Sequence, residues 1–381
     1  MTLIWKILPE MMGGFLAGVS LGLGEAELKL PAIAQNIGRG KGKLKMKILI
    51  YSPLFHPSVG GTETVNLILA REFVRQGQAV KVVCQTPATG DEDFPFEVIR
   101  RPNGLELLRL TRWCDVYFQG CVSLKGLWNL LLVPKPLVVT HHTWYSRPDG
   151  RLGLQDRLKR WVTHWATNIC ISDAIAQKIP APSTIIPNPY WDNVFRLIPN
   201  VTRDRELIFL GRFVSDKGAD LLIKALHTLK KQELTPHLTL VGQGPEEENL
   251  RQQVRDLNLM QQVDFVGIKV GEELAQLLNA HQILVVPSRW QEPFGIVALE
   301  GIACGCVAVG SQGGGLQEAI GSCGITFPNG NVRELTTILF NLLTHPQQLL
   351  DYQSQAKSHL KRHQKAQVAR EYLSVLEAAT Q

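Results

Sequence analysis

Long apolar runs are missing from this sequence of 381 residues. The mostly apolar stretch at residues 15–24 has only ten residues, whereas a helix needs about 20 to span a bilayer. The N-terminal region is also a poor signal peptide, because Glu10 interrupts its apolar part and no small-x-small cleavage site follows. We expect residues 1–45 to be a poorly ordered N-terminal extension, or to lie upstream of a true start at Met46; a membrane-touching segment is the alternative.

Paired cysteines are missing as well. The seven cysteines are scattered and form no C-x-x-C motif, and Cys304 and Cys306 flank Gly305 at a spacing unsuited to zinc. No cluster of histidine and cysteine offers a metal ion a site, so we expect neither a metal nor another cofactor. Scattered cysteines are typical of reduced thiols, which indicates a cytoplasmic protein.

Acidic residues are scarce in the first half of the chain. Residues 1–200 hold 23 Lys and Arg against 15 Asp and Glu, a balance of +8; residues 201–381 hold 17 against 19, a balance of −2, and the sum is the net charge of +6. A basic half favours an anionic partner, either a membrane surface or a phosphorylated molecule. Nucleic acid is not expected, because no nucleic-acid-binding motif accompanies the charge.

Length and periodicity together predict two domains. The chain is too long for one core, and from Met46 apolar runs alternate with helical patterns, which indicates parallel sheets with right-handed crossovers. A boundary near residues 196–204 separates two such series, and we expect domains over 46–198 and 199–350, followed by a helical segment over 351–381. The predicted strands are 46–51, 81–84, 136–140, 207–210, 238–241, 263–265 and 283–286, and the predicted helices are 64–76, 220–230, 247–257, 295–303 and 347–379.

Two carboxylates bracket a Pro-Phe-Gly turn in the second half. Glu292 and Glu300 are separated by seven residues, with a buried strand predicted before the turn and a helix after it. A rise of about 1.5 Å per helical residue would put the carboxylates roughly 8–10 Å apart, which suits gripping an extended ligand at two places. Backbone N–H groups at the helix start, residues 294–297, would face an anion.

Two cations follow the strand predicted at 207–210. Arg212 and Lys217 stand at the carboxyl end of that strand, where open α/β sheets bind ligands. They could neutralise a diphosphate without a metal, and surface salt bridges are the alternative. Gly60 and Gly61 follow the first strand, where they would either let the backbone approach a phosphate at a helix N-terminus or form a plain tight turn.

These motifs, in this order, resemble those of the family 4 retaining glycosyltransferases. That family has the GT-B architecture, in which two Rossmann-like, doubly wound α/β domains face an interdomain cleft. Residues 292–300 resemble its E-x7-E element, residues 211–218 its G-R-x(n)-K-G element, and residues 313–318 its G-G-x-x-E loop, a structural support of the site. The resemblance covers residues 46–375 and implies that the segment 351–381 packs back toward the first domain. Cys306 departs from the proline that is common in the family, which affects local rigidity and not the chemistry.

The resemblance also implies roles for single residues. Glu292 would contact the donor sugar, Glu300 the ribose hydroxyls, and His142 the donor sugar or the acceptor, although a lone histidine is more often structural. The implied catalytic residues are Glu292, Arg212, Lys217 and His142. The implied donor-binding residues are Gly61, Gly242, Gly244, Gly267, Ile268, Phe294, Gly295, Ile296 and Glu300.

The function that the resemblance implies is sugar transfer with retention of the anomeric configuration. The donor would be a UDP- or GDP-type nucleotide sugar and the acceptor a hydroxyl of a sugar or lipid-linked molecule, in polysaccharide or glycolipid biosynthesis. One alternative is a nucleotide-sugar epimerase, which should lack the complete Glu292 and Glu300 element. The other is a noncatalytic nucleotide-sugar-binding protein, against which the set of Arg212, Lys217, Glu292 and Glu300 argues.

Residues 151–162 place four cations among Leu and Trp in a predicted amphipathic helix. An ordinary surface helix with its apolar side in the core explains this pattern. Peripheral contact with anionic lipid at the cytoplasmic face of a membrane is the alternative. Two further residues are open cases: Trp144 could line the acceptor side or pack at the rim, and Ser172 resembles a family position but fits a helix cap equally well.

Overall fold

The computed structural model describes residues 45–58, 60–88, 90, 93–146 and 150–381. The expectation of a poorly ordered extension concerns residues 1–45 and, apart from Lys45, lies outside these ranges. Within them, no helix is both long and apolar enough to cross a membrane.

The first domain is built on a parallel sheet of seven strands in the order β3-β2-β1-β4-β5-β6-β7. Its interior strand β1 is apolar on both faces: Ile48, Leu49 and Ile50 are fully buried, as expected where helices cover both sides of a parallel sheet. The strands are β1 (Lys47–Tyr51), β2 (Ala79–Cys84), β3 (Glu97–Arg100), β4 (Val116–Gln119), β5 (Leu137–His141), β6 (Thr167–Cys170) and β7 (Ser183–Ile185). The helices are α1 (Gly61–Arg75), α2 (Gly104–Trp113), α3 (Trp128–Leu132), α4 (Leu154–Val162) and α5 (Asp173–Ala176), with a 3-10 turn at Leu124–Gly126.

The second domain repeats this arrangement with six parallel strands in the order β10-β9-β8-β11-β12-β13. In both sheets the order reverses next to the first strand, between β1 and β4 and between β8 and β11, which is the doubly wound pattern. The strands are β8 (Arg205–Leu210), β9 (Leu238–Val241), β10 (Val263–Phe265), β11 (His281–Val286), β12 (Val307–Ser311) and β13 (Gly324–Phe327). The helices are α6 (Ala219–Lys231), α7 (Glu247–Asp256), α8 (Gly271–Asn279), α9 (Ile296–Ala303), α10 (Leu316–Ile320) and α11 (Val332–Thr344), with 3-10 turns at Ser215–Lys217 and Gly321–Cys323. The prediction of two Rossmann-like α/β domains is confirmed.

The C-terminal segment forms three helices: α12 (Pro346–Ser354), α13 (Ala356–Lys361) and α14 (Lys365–Ala379). Helix α13 lies against α9 and the turn Gly321–Cys323 of the second domain, whereas α14 lies along α1 of the first. Tyr372 of α14 is fully buried, and its ring centroid is 6.0 Å from that of Phe118. The chain therefore returns to the first domain only after Lys361, and the boundary predicted at residue 350 falls inside α12.

The structure shifts several predicted element ends. Helix α1 begins at Gly61 and not at residue 64, and α4 begins at Leu154 and not at 151. Helix α9 begins at Ile296, because Gly295 before it adopts a left-handed φ of 101°. The single helix predicted over 347–379 is divided into α12, α13 and α14. The sequence did not indicate the breaks, because this segment contains no glycine or proline.

Candidate active site

The carboxyl edge of the second sheet carries two loops that meet. The Lys217 loop (residues 211–218) follows β8, and the Glu292 loop (residues 287–295) follows β11. Strands β8 and β11 are neighbours at the point where the strand order reverses. Open α/β sheets bind ligands in the crevice at such a point, so the topology alone marks this edge as a candidate site.

The side chains of Lys217 and Glu292 are in direct contact. Lys217 Nζ donates a hydrogen bond to Glu292 Oε1 over 2.5 Å, and Ser288 Oγ donates to the same oxygen over 2.7 Å. The lysine side chain is 33% exposed and the glutamate side chain 12%. Both side chains are therefore mostly buried but still reach the solvent in the crevice. Two of the four predicted catalytic residues are thus brought together, and a third, Arg212, is exposed in the same loop.

Glycines allow the Lys217 and Glu292 loops to pack this closely. Gly218 has a φ of +69°, and a Cβ there would lie 2.0 Å from the carbonyl oxygen of Pro287. On the other side, the amide of Gly315 donates to the carbonyl of Glu292 over 2.7 Å. The Glu292 loop is therefore held between the Lys217 loop and the glycine-rich turn that follows β12.

Helix α9 begins at the end of the Glu292 loop and faces the first domain. Phe294 and Ile296 are buried on either side of Gly295. Across the cleft, Gly61 begins α1, and a Cβ built on Gly61 would lie 3.7 Å from Cδ1 of Ile296. The N-termini of α1 and α9, one from each domain, therefore lie opposite each other with Lys217 and Glu292 beside them.

Glu300 lies in the second turn of α9, on an otherwise apolar helix. Its neighbours Ala298, Leu299 and Ile302 are buried, and burial raises the pKa of Glu300 to about 8. A carboxyl group with such a pKa is mostly protonated at pH 7, so it can donate a hydrogen bond as well as accept one. This suits a ligand hydroxyl, which also does both.

The predicted glycine turns border the Lys217 loop. A Cβ on Gly242 would lie 1.9 Å from the carbonyl oxygen of Gly211, and a Cβ on Gly244 would lie 2.3 Å from that of Phe213. The amide of Gly242 donates to the carbonyl of Gly267 over 2.9 Å, and the next residue, Ile268, is 56% exposed. All four predicted positions therefore belong to the same carboxyl edge of the second sheet.

His142 lies at the carboxyl edge of the first sheet, directly after β5. It is 6% exposed, and its Nε2 has no hydrogen-bond partner among the described residues. Burial, with a smaller effect of His141, lowers the pKa of His142 to about 3. The imidazole is therefore neutral at pH 7 and can donate or accept a hydrogen bond, but it cannot serve as a cation.

Trp144 and Ser172, which the sequence left open between ligand and structural roles, tie the two domains together. Trp144 Nε1 donates to the carbonyl of Gln291 over 2.9 Å, and Ser172 Oγ donates to that of Pro293 over 2.8 Å. Both bonds end on the main chain of the Glu292 loop, so the first domain helps to position that loop.

A carboxylate of the second domain makes a further contact between the domains. Glu318 accepts hydrogen bonds from the amides of Asp173 (3.0 Å) and Ala174 (3.3 Å) at the start of α5. The sequence places Glu318 in a supporting loop without indicating this partner, and it does not single out Ser288 at all. A Ser after a strand is too common to reveal that its hydroxyl meets a carboxylate four residues later.

With two such domains facing a cleft, the protein has the GT-B fold. It is similar to the crystal structure of Anabaena Alr3699/HepE in complex with UDP and glucose, with a TM-score of 0.73 and 21% sequence identity over 87% of this chain and 100% of that one. Residues 194–359 match the family model of the group 1 glycosyl transferases. The matched range includes the Lys217 and Glu292 loops and Glu300.

Curated relatives resemble the chain over part of their length. A glycogen synthase of Mycobacterium tuberculosis is 35% identical over 147 residues, which are 38% of this chain and 35% of that protein. A GDP-mannose-dependent alpha-(1-6)-phosphatidylinositol monomannoside mannosyltransferase of Mycolicibacterium smegmatis is 32% identical over 148 residues, 37% of this chain and 39% of that protein. The matches thus span little more than a third of the relatives' length.

Proposed function

We propose that this protein is a retaining glycosyltransferase of family 4, which transfers a sugar from a nucleotide sugar to an acceptor hydroxyl. The observation that carries the proposal is the contact of Lys217 with Glu292 at the switch point of the second sheet, opposite the N-terminus of α1. The contact puts a cation and a carboxylate beside two helix N-termini, which is the set of groups that sugar transfer from a diphosphate requires.

In this reaction negative charge builds on the departing diphosphate while positive charge develops at the anomeric carbon. Lys217, Arg212 and the amides at the starts of α1 and α9 stabilise the negative charge on the diphosphate. Lys217 and the amides are already held in place before the reaction begins. Glu292 contacts the donor sugar near the positive charge that develops at the anomeric carbon. Glu300 bonds the ribose hydroxyls, and neutral His142 contacts the sugar or the acceptor from the first domain.

The proposal includes the front-face route that the family resemblance implies. The acceptor hydroxyl approaches on the side from which the diphosphate leaves, so the departing phosphate oxygen takes the acceptor proton while the new glycosidic bond forms. No side chain is then needed as a general base. Closing of the cleft around the donor would exclude water and limit its hydrolysis.

The relatives support a nucleotide-sugar donor of UDP or GDP type. The Anabaena structure contains UDP and glucose, and the Mycolicibacterium relative is named as dependent on GDP-mannose. A thermal-shift screen of UDP and GDP sugars tests this choice, because a bound donor stabilises the fold in proportion to the logarithm of its saturation. The stabilising donor should then be transferred to an acceptor. Absence of transfer with every stabilising donor would refute the proposal.

Two other functions would use the same pocket. An epimerase would isomerise the donor without any acceptor, and a noncatalytic binding protein would be stabilised by the donor without consuming it. Chromatography of the donor after incubation with and without acceptor sugars separates all three, because only a transferase consumes donor in proportion to acceptor.

Metal-independent transfer is part of the proposal. Arg212 and Lys217 already supply two positive charges for the diphosphate. In the part of the chain that the structure describes, no three His, Cys, Asp or Glu side chains are grouped as metal ligands. One Asp-x-Asp sequence does occur, Asp91 to Asp93 between β2 and β3. We expect full activity in EDTA; loss of activity that manganese restores would overturn this part.

A membrane surface is the partner that we propose for the first domain, in glycolipid or polysaccharide synthesis at the cytoplasmic face. Helix α4 and its flanks carry Leu154, Trp161 and Trp165 at 69%, 51% and 71% exposure, with Arg157 exposed among them. Leu154, Arg157 and Trp161 recur at helical spacing on one outward face, and the ring of Trp165, which follows the helix, lies 5.5 Å from that of Trp161. Exposed Leu and Trp with basic residues are typical of binding to anionic lipid.

Cosedimentation with liposomes tests this contact. The protein should bind anionic but not neutral vesicles, and about 0.5 M salt should release it by screening. Trp161→Ala with Trp165→Ala should abolish binding, whereas Leu105→Ala, at a leucine that is 72% exposed on α2, should not. Equal binding to both vesicle types, or binding to neither, would refute the proposal that α4 binds anionic lipid.

A further inference from the structure

A second ion pair, between Arg289 and Asp220, connects the Glu292 loop to the residues around Lys217. Arg289 stands in the Glu292 loop, and its guanidinium donates to both carboxylate oxygens of Asp220 at the start of α6, each over 2.6 Å. The same guanidinium donates to the carbonyl of Ser215 over 2.9 Å. The pair therefore clamps the Glu292 loop to the residues on both sides of Lys217.

The main chain adds to this clamp. The amide of Arg289 donates to the carbonyl of Asp216 over 2.7 Å, and that of Trp290 donates to the same oxygen over 3.2 Å. On the opposite side, Asn329 Nδ2 donates to the carbonyl of Arg289 over 2.9 Å. Arg289 is thus held at its backbone and at the end of its side chain.

Neither partner of the clamp is deeply buried. Arg289 is 37% exposed and Asp220 26%, and both line a cavity of about 270 Å³ on the surface of the second domain. Burial alone would raise the pKa of Asp220, but the hydrogen bonds and positive charges of Arg289 and Lys224 together outweigh it, and the pKa is lowered. Partly exposed ion pairs contribute little to stability, so the clamp's main effect is on geometry.

We propose that Arg289 and Asp220 are positioning residues, which set the placement of Lys217 relative to Glu292. This inference rests on the proposed function, since it assigns the pair a part in sugar transfer. Shifts of about 1 Å in charged groups around a transition state can cost about a hundredfold in rate, while ground-state binding of an extended donor is spread over many contacts. Loss of the clamp should therefore lower kcat more than it raises KM.

Conservative variants test the clamp. Arg289→Lys keeps the charge but loses the two-pronged fork, and Asp220→Asn keeps the shape but loses the charge. We expect each to lower kcat about ten- to a hundredfold, with the donor KM changed less than about threefold. The double variant should be about as slow as the slower single one, because both changes remove the same Arg289–Asp220 interaction, and Asp220→Asn also loses the charge that pairs with Lys224.

Arg196 and Glu272 form the matched control. Arg196 also makes a two-pronged bond, of 2.9 and 3.2 Å, to Glu272 on α8, and the two side chains are 48% and 50% exposed. Arg196→Lys should leave kcat unchanged. Equal loss in Arg196→Lys and Arg289→Lys, or no loss in either, would overturn the positioning role.

Hydrogen exchange decides the question without turnover. In Arg289→Lys the amides of residues 211–218 should exchange faster than in the wild type, and in Arg196→Lys they should not. Unchanged exchange at 211–218 in Arg289→Lys would refute the clamp. Failure of the wild type to turn over any donor would refute the proposed function instead, and the exchange result would still stand.

Discussion

At the scale of single residues, the contact between Lys217 and Glu292 makes the sharpest prediction. Lys217→Ala and Glu292→Ala should each lower transfer by at least about a hundredfold with the fold intact, because removal of one preorganised charge commonly costs that much. Steady-state kinetics and circular dichroism measure the two quantities. Lys269→Ala is the control, since Lys269, two residues before α8, pairs with Glu273 of that helix over the same 2.5 Å. Near-wild-type transfer by either site variant would remove it from the catalytic set.

Glu300 gives a prediction about pH. Its pKa is raised to about 8 by burial, so between about pH 4.5 and 8 the folded protein retains a proton that the unfolded chain releases. The free energy of unfolding should therefore fall as the pH rises through this window, with the effect of Glu300 fully favourable only below it. Within the window, this difference of one bound proton lowers the free energy of unfolding by about 1.4 kcal/mol for each unit that the pH rises.

Denaturant unfolding of Glu300→Gln at several pH values measures this effect. The variant should match the wild type near pH 4.5, become increasingly more stable than it up to about pH 8, and keep a constant advantage above pH 8, because glutamine cannot ionise. A stability difference that does not change with pH would show that Glu300 titrates normally.

At the scale of loops and helices, two glycine variants distinguish the effect of close packing between the Lys217 and Glu292 loops from the effect of a positive φ. Gly218→Ala introduces a Cβ 2.0 Å from Pro287 O at a φ of +69°, whereas Gly330→Ala has a similar φ of +77° and no atom within 4 Å. A positive φ costs an alanine about 1–2 kcal/mol in either place. Gly218→Ala should cost more in stability and also reduce transfer, which Gly330→Ala should not. Equal unfolding midpoints and activities would mean that the loops can separate freely.

The elements that the sequence predicted well are those whose pattern is set by burial. Residues 238–241 form a strand with the predicted ends, and all four are buried, as expected in a parallel sheet that is covered on both faces. Helix ends were less predictable. Gly61 and Gly295 occupy similar positions after strands, but only Gly61 is itself helical.

The site was predictable as a set of positions but not as a set of contacts. The glutamates and cations could be placed at strand ends, yet nothing in the sequence pairs Lys217 with Glu292, which are 75 residues apart. Contacts such as Trp144 with Gln291 depend on how the domains pack. The raised pKa of Glu300 depends on neighbours that a helical pattern does not specify.

At the scale of the whole molecule, the path of the C-terminal segment has a consequence for how the protein comes apart. The chain leaves the first domain through residues 186–204 and returns to it as α14, where Val368, Tyr372 and Leu376 are fully buried. Pro199 and Asn200 are exposed on the outward path, so a protease site inserted between them should be cut readily.

The two fragments made by that cut should remain one particle. The C-terminal fragment keeps α14, whose apolar side completes the core of the N-terminal fragment, and non-covalent complementation should hold the halves together through gel filtration. They should separate only in denaturant, or when residues 365–381 are also removed. Fragments that elute apart under native conditions would contradict this. Breaking one peptide bond in the linker would then leave the cleft assembled, because α14 connects the two domains independently of the linker.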